Sequence, residues 1–306
     1  MSNPDRVYFP EIGATKLDLV EYYLAVGEGI VNALWERPCM LHRFPKGLEG
    51  DKVHQKRLPP AGAPDWVETV QLFFPRWKRT ADELCVTELA SVIWAVQMST
   101  VEFHPWNSRR GATEMPDEWR IDLDPPGPAS SYDDIRRVAH VAHEVLDELG
   151  AVGYPKTSGS KGLHVYVRVK PEHDHKGVRR AALAFAREVE RRAPPDLVTT
   201  TWWKKDRDPP AAVFVDYNQN ARDHTIAAAY SVRGLPDARV STPRPLGRDR
   251  RRDPRDFTIR TVPKRFAEIG DLHHDIDDHV FDLAPLLEWA DRDDLPVDDD
   301  DGGDAG

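Results

Sequence analysis

Two aspartates separated by one residue are the positions of this chain with the clearest chemical meaning. Asp122 and Asp124 stand in the segment Ile-Asp-Leu-Asp-Pro at residues 121–125. On a β-strand the side chains of residues i and i+2 lie on one face, so both carboxylates point the same way while Ile121 and Leu123 face a core. Two adjacent negative charges repel each other unless a cation lies between them, and Mg²⁺ and Mn²⁺ prefer carboxylate oxygens. The pattern fits a divalent-metal site, and it also fits a solvated strand end.

The elements that follow this pair predict how other chemical groups reach it. Between residues 119 and 216 the apolar patterns predict the order β-α-β-β-α-β, which is typical of the ferredoxin-like fold. In that fold the first and third strands are central and the fourth lies beside the first. Asp216, at the end of the fourth strand, then lies next to Asp122 and Asp124, and His164 lies on the other neighbouring strand. We therefore predict a site with three carboxylates and a histidine on one face of the sheet. The predicted elements are a strand around 119–124, a helix from about 133 to 149, an extended piece at 151–157, a strand at 163–169, a helix at about 176–192 and a strand at 213–216.

Residues before 119 predict a separate α/β lobe. Thr15 and Asp18 form a capping-box pattern, and apolar residues then recur at helical spacing until Pro38. Between residues 40 and 74 short apolar pieces alternate with Gly and Pro, which is typical of strands and turns, and a second helix is predicted at about 88–100. We expect three regions: an N-terminal lobe at 1–118, a catalytic lobe with a C-terminal helix at 119–290, and an acidic disordered tail at 291–306.

Composition narrows the class of protein. With 306 residues and 40% hydrophobic content, the chain can bury a substantial core. The formal net charge is -10, but residues 291–306 contain eight acids and one arginine, so residues 1–290 carry a net charge of only -3. A nearly neutral body can still contain a basic groove for nucleic acid. Because the sequence has no apolar run of membrane-spanning length and no signal-peptide pattern, we expect a cytoplasmic protein. Cys39 and Cys85 lack the spacing of zinc ligands.

A loop rich in glycine and serine precedes the strand that carries His164. It reads Ser-Gly-Ser-Lys-Gly at residues 158–162. Backbone N–H groups of such a loop can hold phosphate and Lys161 adds positive charge, although a simple turn with a surface lysine is the alternative. His164 on the adjoining face can donate to a phosphate oxygen. Three carboxylates beside such a loop suit phosphoryl or nucleotidyl transfer with two divalent ions, whereas a hydrolytic carboxylate pair would not require the loop.

Three motifs follow one another along the chain: Asp-Leu-Asp-Pro at 122–125, Ser-Gly-Ser-Lys-Gly-Leu-His-Val-Tyr at 158–166 and Val-Phe-Val-Asp-Tyr-Asn-Gln-Asn at 213–220. In this order they resemble the motifs of the archaeo-eukaryotic primase superfamily. More narrowly, the chain resembles the polymerase domain of bacterial DNA ligase D and its stand-alone primase-polymerase relatives, over about residues 3–290. The resemblance implies a primase-polymerase catalytic core with a ferredoxin-like (RRM-like) sheet and an N-terminal α/β lobe.

The resemblance also implies roles for individual residues. Asp122, Asp124 and Asp216 would be catalytic and would hold two ions, Mn²⁺ or Mg²⁺. Arg6 and Lys16 would bind a downstream 5′-phosphate of DNA, with arginine at Arg6 where the end-joining relatives usually have lysine. His54 and Lys56 would contact the template, and Val53-His54 stands where these relatives place paired phenylalanines. The residues implied in binding the incoming nucleotide are His104, Ser158, Ser160, Lys161, His164 and Arg233.

The expected activity is DNA-dependent nucleotidyl transfer that extends primers with ribo- or deoxynucleoside triphosphates. It would serve short-gap filling or end joining in DNA repair, at the nucleoid of a bacterium. The expected partners are DNA with gaps or double-strand ends, nucleoside triphosphates, a separate DNA ligase and an end-binding protein, with the chain itself a monomer. Two other classes stay open: a non-catalytic module that binds DNA ends through 5′-phosphates, and a two-metal phosphodiesterase. Primer extension, binding without extension and loss of primer length distinguish the three.

Overall fold

The structure is a computed structural model that describes residues 1–58, 62–127, 132–207, 212–245 and 253–296. Within these residues the chain combines helices with several sheets, so the predicted α/β (α+β) class is confirmed. The helices are α1 (Lys16–Ala25), α2 (Gly27–Leu34), α3 (Leu89–Gln97), α4 (Tyr132–Leu149), α5 (His175–Arg192), α6 (Val262–Ile269) and α7 (Ala284–Arg292). The strands are β1 (Val7–Phe9), β2 (Ala14–Thr15), β3 (Pro38–Arg43), β4 (Val53–Gln55), β5 (Thr69–Phe74), β6 (Arg79–Cys85), β7 (Thr100–Pro105), β8 (Glu118–Asp124), β9 (Tyr154–Thr157), β10 (Leu163–Val169), β11 (Val198–Thr199), β12 (Val213–Asp216) and β13 (Val280–Phe281).

The chain forms two compact units, and it leaves and re-enters each of them. The first unit comprises Met1–Thr113, Thr225–Pro243 and Asp253–His274. The second unit comprises Glu114–His224, Arg244–Arg252 and Asp275–Gly306. The predicted lobes at 1–118 and 119–290 differ from this division, because local sequence patterns do not reveal that residues 225–274 return largely to the first unit. The functions predicted for the two lobes stay predictions.

The first unit contains a sheet in the order β4-β3-β6-β5, and β7 also pairs with β3. The predicted capping box is confirmed: the side chain of Thr15 accepts from the backbone of Asp18, whose carboxylate accepts from the backbone of Thr15. The sequence predicted one continuous helix after this cap. The structure instead shows two helices, α1 and α2, with a break at Val26. Close packing accompanies the break, since a Cβ on Gly27 would lie 2.6 Å from Leu89.

The second unit contains the predicted ferredoxin-like sheet. Its strand order is β11-β12-β8-β10-β13, and β9 also pairs with β10. The strand β8 is antiparallel to both β12 and β10, so the first and third predicted strands are central and the fourth lies beside the first. Gly150 ends α4 with φ of 68°, as its position in the sequence predicted. The short strands β11 and β13 were not predicted.

The apolar side of β8 holds the core of the second unit. Trp119, Ile121 and Leu123 are buried with side chains of α4 and α5. Because side chains alternate along a strand, the residues between them face the opposite side of the sheet. This alternation places Asp122 and Asp124 together on the face away from that core.

The last helix extends past the predicted start of the acidic tail. Asp291 and Arg292 belong to α7, and Leu295 is buried with residues of α5 and α7, so the tail was predicted to begin too early. Packing of this apolar residue holds the segment to the second unit. Residues 297–306, to which the disorder prediction also applied, lie outside the described residues. Among the helices that are described, none is both long and apolar enough to cross a membrane.

Candidate active site

Three aspartates converge on one face of the sheet in the second unit. Asp216 of β12 lies directly opposite Asp122 of β8 in the strand register, and Asp124 follows two residues later on the same face. One carboxylate oxygen from each residue lies within 4.8 Å of the others. Asp122 and Asp216 are buried, and Asp124 is partly exposed. The structure thus brings together the three carboxylates that the sequence placed on neighbouring strands.

Burial and mutual repulsion disfavour full ionisation of this cluster. Burial raises the pKa of Asp216 to about 6, and the negative charge of Asp124 adds to the rise. Hydrogen bonds from the backbone of Asn218 at 2.9 Å and from the side chain of Gln219 at 3.0 Å act in the opposite direction. Burial also raises the pKa of Asp124, which the positive charge of Arg207 partly offsets. A cation between the carboxylates would relieve the repulsion, because it favours their charged forms.

The row of residues across the sheet continues beyond the aspartates. On the other side of Asp122, the register places His164 of β10 and then Lys156 of β9. Nε2 of His164 lies 3.3 Å from Oδ1 of Asp122. Nζ of Lys156 donates a hydrogen bond of 2.8 Å to Nδ1 of His164. Since an ammonium group has donors only, Nδ1 accepts, and the neutral ring carries its proton on Nε2, toward Asp122.

Lys156 is a residue of this site that the sequence analysis missed. Its side chain is fully buried and its Nζ lies 5.0 Å from the centroid of the Tyr166 ring. A buried ammonium requires strong partners, because removal from water is costly. The pairing of β9 with β10 places Lys156 opposite His164, and this pairing is the feature that could have indicated the lysine.

The side chain of Ser158, the first residue of the predicted phosphate loop, is hydrogen-bonded to the backbone of the same loop. Oγ of Ser158 accepts hydrogen bonds from the backbone N–H of Ser160 at 3.1 Å and from that of Gly162 at 3.0 Å. Ser158 is buried, Ser160 is partly exposed and Lys161 is exposed. A Cβ on Gly162 would lie 2.6 Å from the carbonyl oxygen of Leu123, so the loop passes close to β8. This arrangement connects the loop directly to the strand that carries the aspartates.

A second row of polar residues crosses the sheet of the first unit. The register places His42 of β3 between His54 of β4 and Glu102 of β7. His104 follows two residues after Glu102 and therefore lies on the same face. The ring centroids of His42 and His104 are 3.8 Å apart, and those of His42 and His54 are 4.5 Å apart. The three imidazoles thus lie side by side with neighbouring rings tilted by 36° and 32°, from the exposed His54 to the buried His104.

The carboxylate of Glu102 connects these histidines to Arg233. Oε2 lies 2.9 Å from Nε2 of His104 and 3.3 Å from Nδ1 of His42, and it accepts a hydrogen bond of 3.0 Å from Nε of Arg233. Oε1 accepts from the backbone N–H of Gly234 at 2.9 Å. These partners hold the pKa of Glu102 far below its usual range, despite burial. Roles for His104 and Arg233 are predicted from the sequence, whereas the glutamate that joins them is seen only in the structure.

The other predicted contacts lie in the first unit and have different surroundings. Lys16 is buried, and its Nζ donates to the carbonyl oxygens of Ser2 at 3.1 Å and Gln97 at 2.6 Å. Burial, together with the nearby charge of Arg6, lowers the pKa of Lys16. Lys56 is exposed, with its Nζ 5.3 Å from the centroid of a phenylalanine ring. The predicted contacts of Arg6 and Lys16 with a 5′-phosphate, and of His54 and Lys56 with the template, stay predictions.

Comparison with known protein families shows the family to which this chain belongs. Residues 15–273 match the family model described as the primase-polymerase domain of LigD. The chain belongs to this family. The resemblance predicted from the three motifs is therefore confirmed, and the fold class agrees with it.

Relatives of this primase-polymerase domain are larger proteins. The chain is 31% identical over 273 residues to the multifunctional non-homologous end joining protein LigD of Pseudomonas aeruginosa, and this match covers 88% of the chain and 31% of that relative. It is 31% identical over 290 residues to the protein of the same name from Mycolicibacterium smegmatis, covering 94% of the chain and 36% of that relative. The chain thus spans about a third of the length of these relatives.

A solved structure matches most of this chain. It is described as the polymerase domain of Mycobacterium tuberculosis ligase D in complex with DNA. The two chains superpose with a TM-score of 0.82 at 29% sequence identity, and the match covers 91% of this chain and 97% of the other.

Proposed function

We propose that this primase-polymerase domain extends DNA primers by nucleotidyl transfer, with ribo- or deoxynucleoside triphosphates as substrates. The observation that supports this most directly is the convergence of Asp122, Asp124 and Asp216 beside the loop at 158–162. In the proposed reaction the 3′-hydroxyl of the primer attacks the α-phosphate, and pyrophosphate leaves. Membership of the family and the similarity to a polymerase domain that was solved with DNA support the same activity.

The donor set of the acidic cluster fits hard divalent cations. Carboxylate oxygens from Asp122, Asp124 and Asp216 within 4.8 Å of one another match the ligand preference of Mg²⁺ and Mn²⁺. When bound, such ions activate the attacking oxygen and stabilise the charge on the leaving phosphates. The raised pKa of Asp216, caused by burial and by Asp124, is the electrostatic condition that a cation would remove.

The remaining residues have roles in orienting the substrates. His164, fixed between Lys156 and Asp122, keeps its Nε2 proton directed at the acidic cluster. Ser158 shapes the loop, whose backbone N–H groups and Lys161 would bind phosphate. We propose the same nucleotide-binding role for His104, Ser160 and Arg233, and contacts with DNA for Arg6, Lys16, His54 and Lys56.

The repair context is part of this proposal. The relatives are named as non-homologous end joining proteins. We infer that this chain fills short gaps or extends broken ends at the bacterial nucleoid, and that a DNA ligase seals the product and an end-binding protein assists. Both alternatives stated above, the 5′-phosphate-binding module and the phosphodiesterase, would leave the primer without added nucleotides.

One extension assay tests the proposed activity. A gapped DNA with a 5′-phosphate is incubated with Mn²⁺ or Mg²⁺ and with ribo- or deoxynucleotides, and primer length is measured. We expect extension by the native protein and loss of extension in Asp122→Ala/Asp124→Ala. The matched control is Glu144→Ala/Asp147→Ala, which removes two exposed carboxylates of α4. Full extension by the Asp122→Ala/Asp124→Ala variant, or primer shortening by the native protein, would contradict the proposal.

A further inference from the structure

Glu102 is a buried carboxylate at the centre of the residues that we expect to bind nucleotide in the first unit. It is 3% exposed. A buried carboxylate is costly unless charged or polar donors surround it. Here the donors are His104, His42, Arg233 and the backbone of Gly234, and Nζ of Lys52 lies 3.9 Å away. The partners offset the cost of burying Glu102 and keep it charged.

The hydrogen bonds to Glu102 determine which ring nitrogen of His104 is available. An ionised carboxylate can only accept, so Nε2 of His104, 2.9 Å from Oε2, must carry the proton. Nδ1 is then the ring nitrogen that can be presented to a ligand. The ring of His42 packs against that of His104, with centroids 3.8 Å apart and planes tilted by 32°, and this contact restricts rotation of the His104 ring.

The same carboxylate fixes the direction of Arg233. Nε of Arg233 donates to Oε2 of Glu102, and because the guanidinium is planar, this bond sets the plane of the whole group. The neighbouring backbone is held as well. A Cβ on Gly234 would lie 3.0 Å from Oε1 of Glu102 and 2.5 Å from Cζ of Phe44, so only glycine brings the N–H of residue 234 this close.

Metal binding is the competing explanation for this cluster. Ligand atoms of His42, Glu102 and His104 lie within 4.8 Å of one another, as they would around an ion. However, Nε of Arg233 lies 3.0 Å from Oε2 and Nζ of Lys52 lies 3.9 Å from Oε1. A divalent cation here would be repelled by two positive charges at close range. The charges therefore favour a hydrogen-bonded centre over a metal site.

We propose that Glu102 is a positioning residue of the nucleotide site, which acts by fixing His104 with its proton on Nε2 and by fixing the plane of Arg233. This rests on the proposed function, in which His104 and Arg233 contact the incoming nucleotide. Groups that are already oriented bind a substrate with less loss of conformational freedom, so Glu102 lowers KM without touching the nucleotide.

Glu102→Gln in the full chain tests the role. Glutamine keeps the shape but has one acceptor oxygen and an NH₂ group that donates, so it cannot accept from His104, His42, Arg233 and Gly234 together. We expect KM for the nucleotide to rise at least about tenfold, while kcat changes less than about threefold. ¹⁵N NMR of labelled histidine should show that His104 no longer has its proton only on Nε2. Glu83→Gln, which changes another buried carboxylate of the first unit, is the matched control and should leave both readouts unchanged.

A double-variant cycle and a conservative variant separate positioning from general loss of structure. If Glu102 acts through His104, the KM of Glu102→Gln/His104→Ala should be well below the value that independent effects would give. Glu102→Asp retains the charge and should restore part of the nucleotide affinity. Independent effects of the two substitutions, or a Glu102→Gln variant with unchanged KM and with His104 still protonated on Nε2, would overturn the proposal. The NMR readout needs no nucleotide, so it decides the positioning role separately from a failure of the native protein to extend primers, which would refute the proposed function alone.

Discussion

Removing one charge from the acidic cluster should stabilise the metal-free protein while it abolishes catalysis. At the 4.8 Å limit of the cluster, two carboxylates repel each other by about 3 kcal/mol at an effective dielectric constant of about 20. Asp124 is partly exposed and is attracted by Arg207, so the net gain will be smaller. We expect the free energy of unfolding of Asp124→Asn to exceed that of the native protein by about 1 kcal/mol at neutral pH without divalent ions.

The pH dependence of the free energy of unfolding provides a second, independent test of the repulsion within the cluster. Burial and Asp124 raise the pKa of Asp216 from 3.8 to about 6, so the folded native protein keeps this proton at a pH where the unfolded chain has lost it. Stability of the metal-free protein therefore falls as the pH rises from about 4 to about 6. A shift of about two units corresponds to about 3 kcal/mol. Asp124→Asn removes one cause of the raised pKa, so its stability should fall less over the same interval.

The assay is urea unfolding in EDTA at about pH 5 and about pH 7.5, repeated with Mn²⁺. Saturating Mn²⁺ at about 100 times its Kd should stabilise the native protein by about 2.7 kcal/mol, and it should stabilise Asp124→Asn much less. Asp147→Asn, on the surface of α4, is the control and should behave as the native protein does. The reasoning is refuted if Asp124→Asn is less stable than the native protein in EDTA, or if Mn²⁺ stabilises both equally.

Three further substitutions test other parts of the structure. Lys156→Met should fold but lower kcat/KM for primer extension about tenfold, because His164 loses the donor that fixes its tautomer. Lys170→Met, on the surface, is the control. Equal kinetics of the Lys156→Met variant and the native protein would contradict this role. Gly162→Ala should destabilise the protein by about 2 kcal/mol or more and weaken nucleotide binding, since its Cβ would lie 2.6 Å from the backbone of β8. Calorimetry measures the loss of stability and nucleotide titration the loss of affinity. An unchanged melting temperature would refute the packing argument. Thr15→Ala removes the cap of α1, so the free energy of unfolding in urea should fall by about 1 kcal/mol with no change in KM. A change in KM instead would show that this helix end contacts substrate.

Elements with strong local patterns could be predicted from the sequence. The strand Leu163–Val169 has the predicted bounds because its apolar residues are bordered by Gly162 and a polar turn. The break at Val26 could not be predicted, because the residues on both sides keep helical spacing and the cause of the close packing, Leu89, is distant in the sequence. Short strands such as β11, with two residues, carry too little pattern to be recognised.

The acidic residues of the candidate site could be predicted because strand order alone brings them together. Glu102 and Lys156 could not, since each is a single charged residue within a strand pattern, where a solvated side chain is the usual outcome. Their contacts depend on cross-strand register and on partners such as Arg233, which is 131 positions from Glu102. Register follows from tertiary pairing, which a single sequence does not contain.

The discontinuous first unit has a consequence for synthesis on the ribosome. Its buried contacts join distant parts of the chain: Tyr22 donates to the carbonyl of Tyr230, and Oγ of Ser231 accepts from the backbone of Phe103. Residues 114–224 of the second unit are translated before the segment that supplies Arg233. Until that segment emerges, Glu102 lacks its guanidinium partner and the apolar surface that Tyr230 covers stays open. A nascent chain therefore cannot complete the hydrogen bonds around Glu102 before Arg233 has been translated, and by then residues 114–224 of the second unit have already been synthesised.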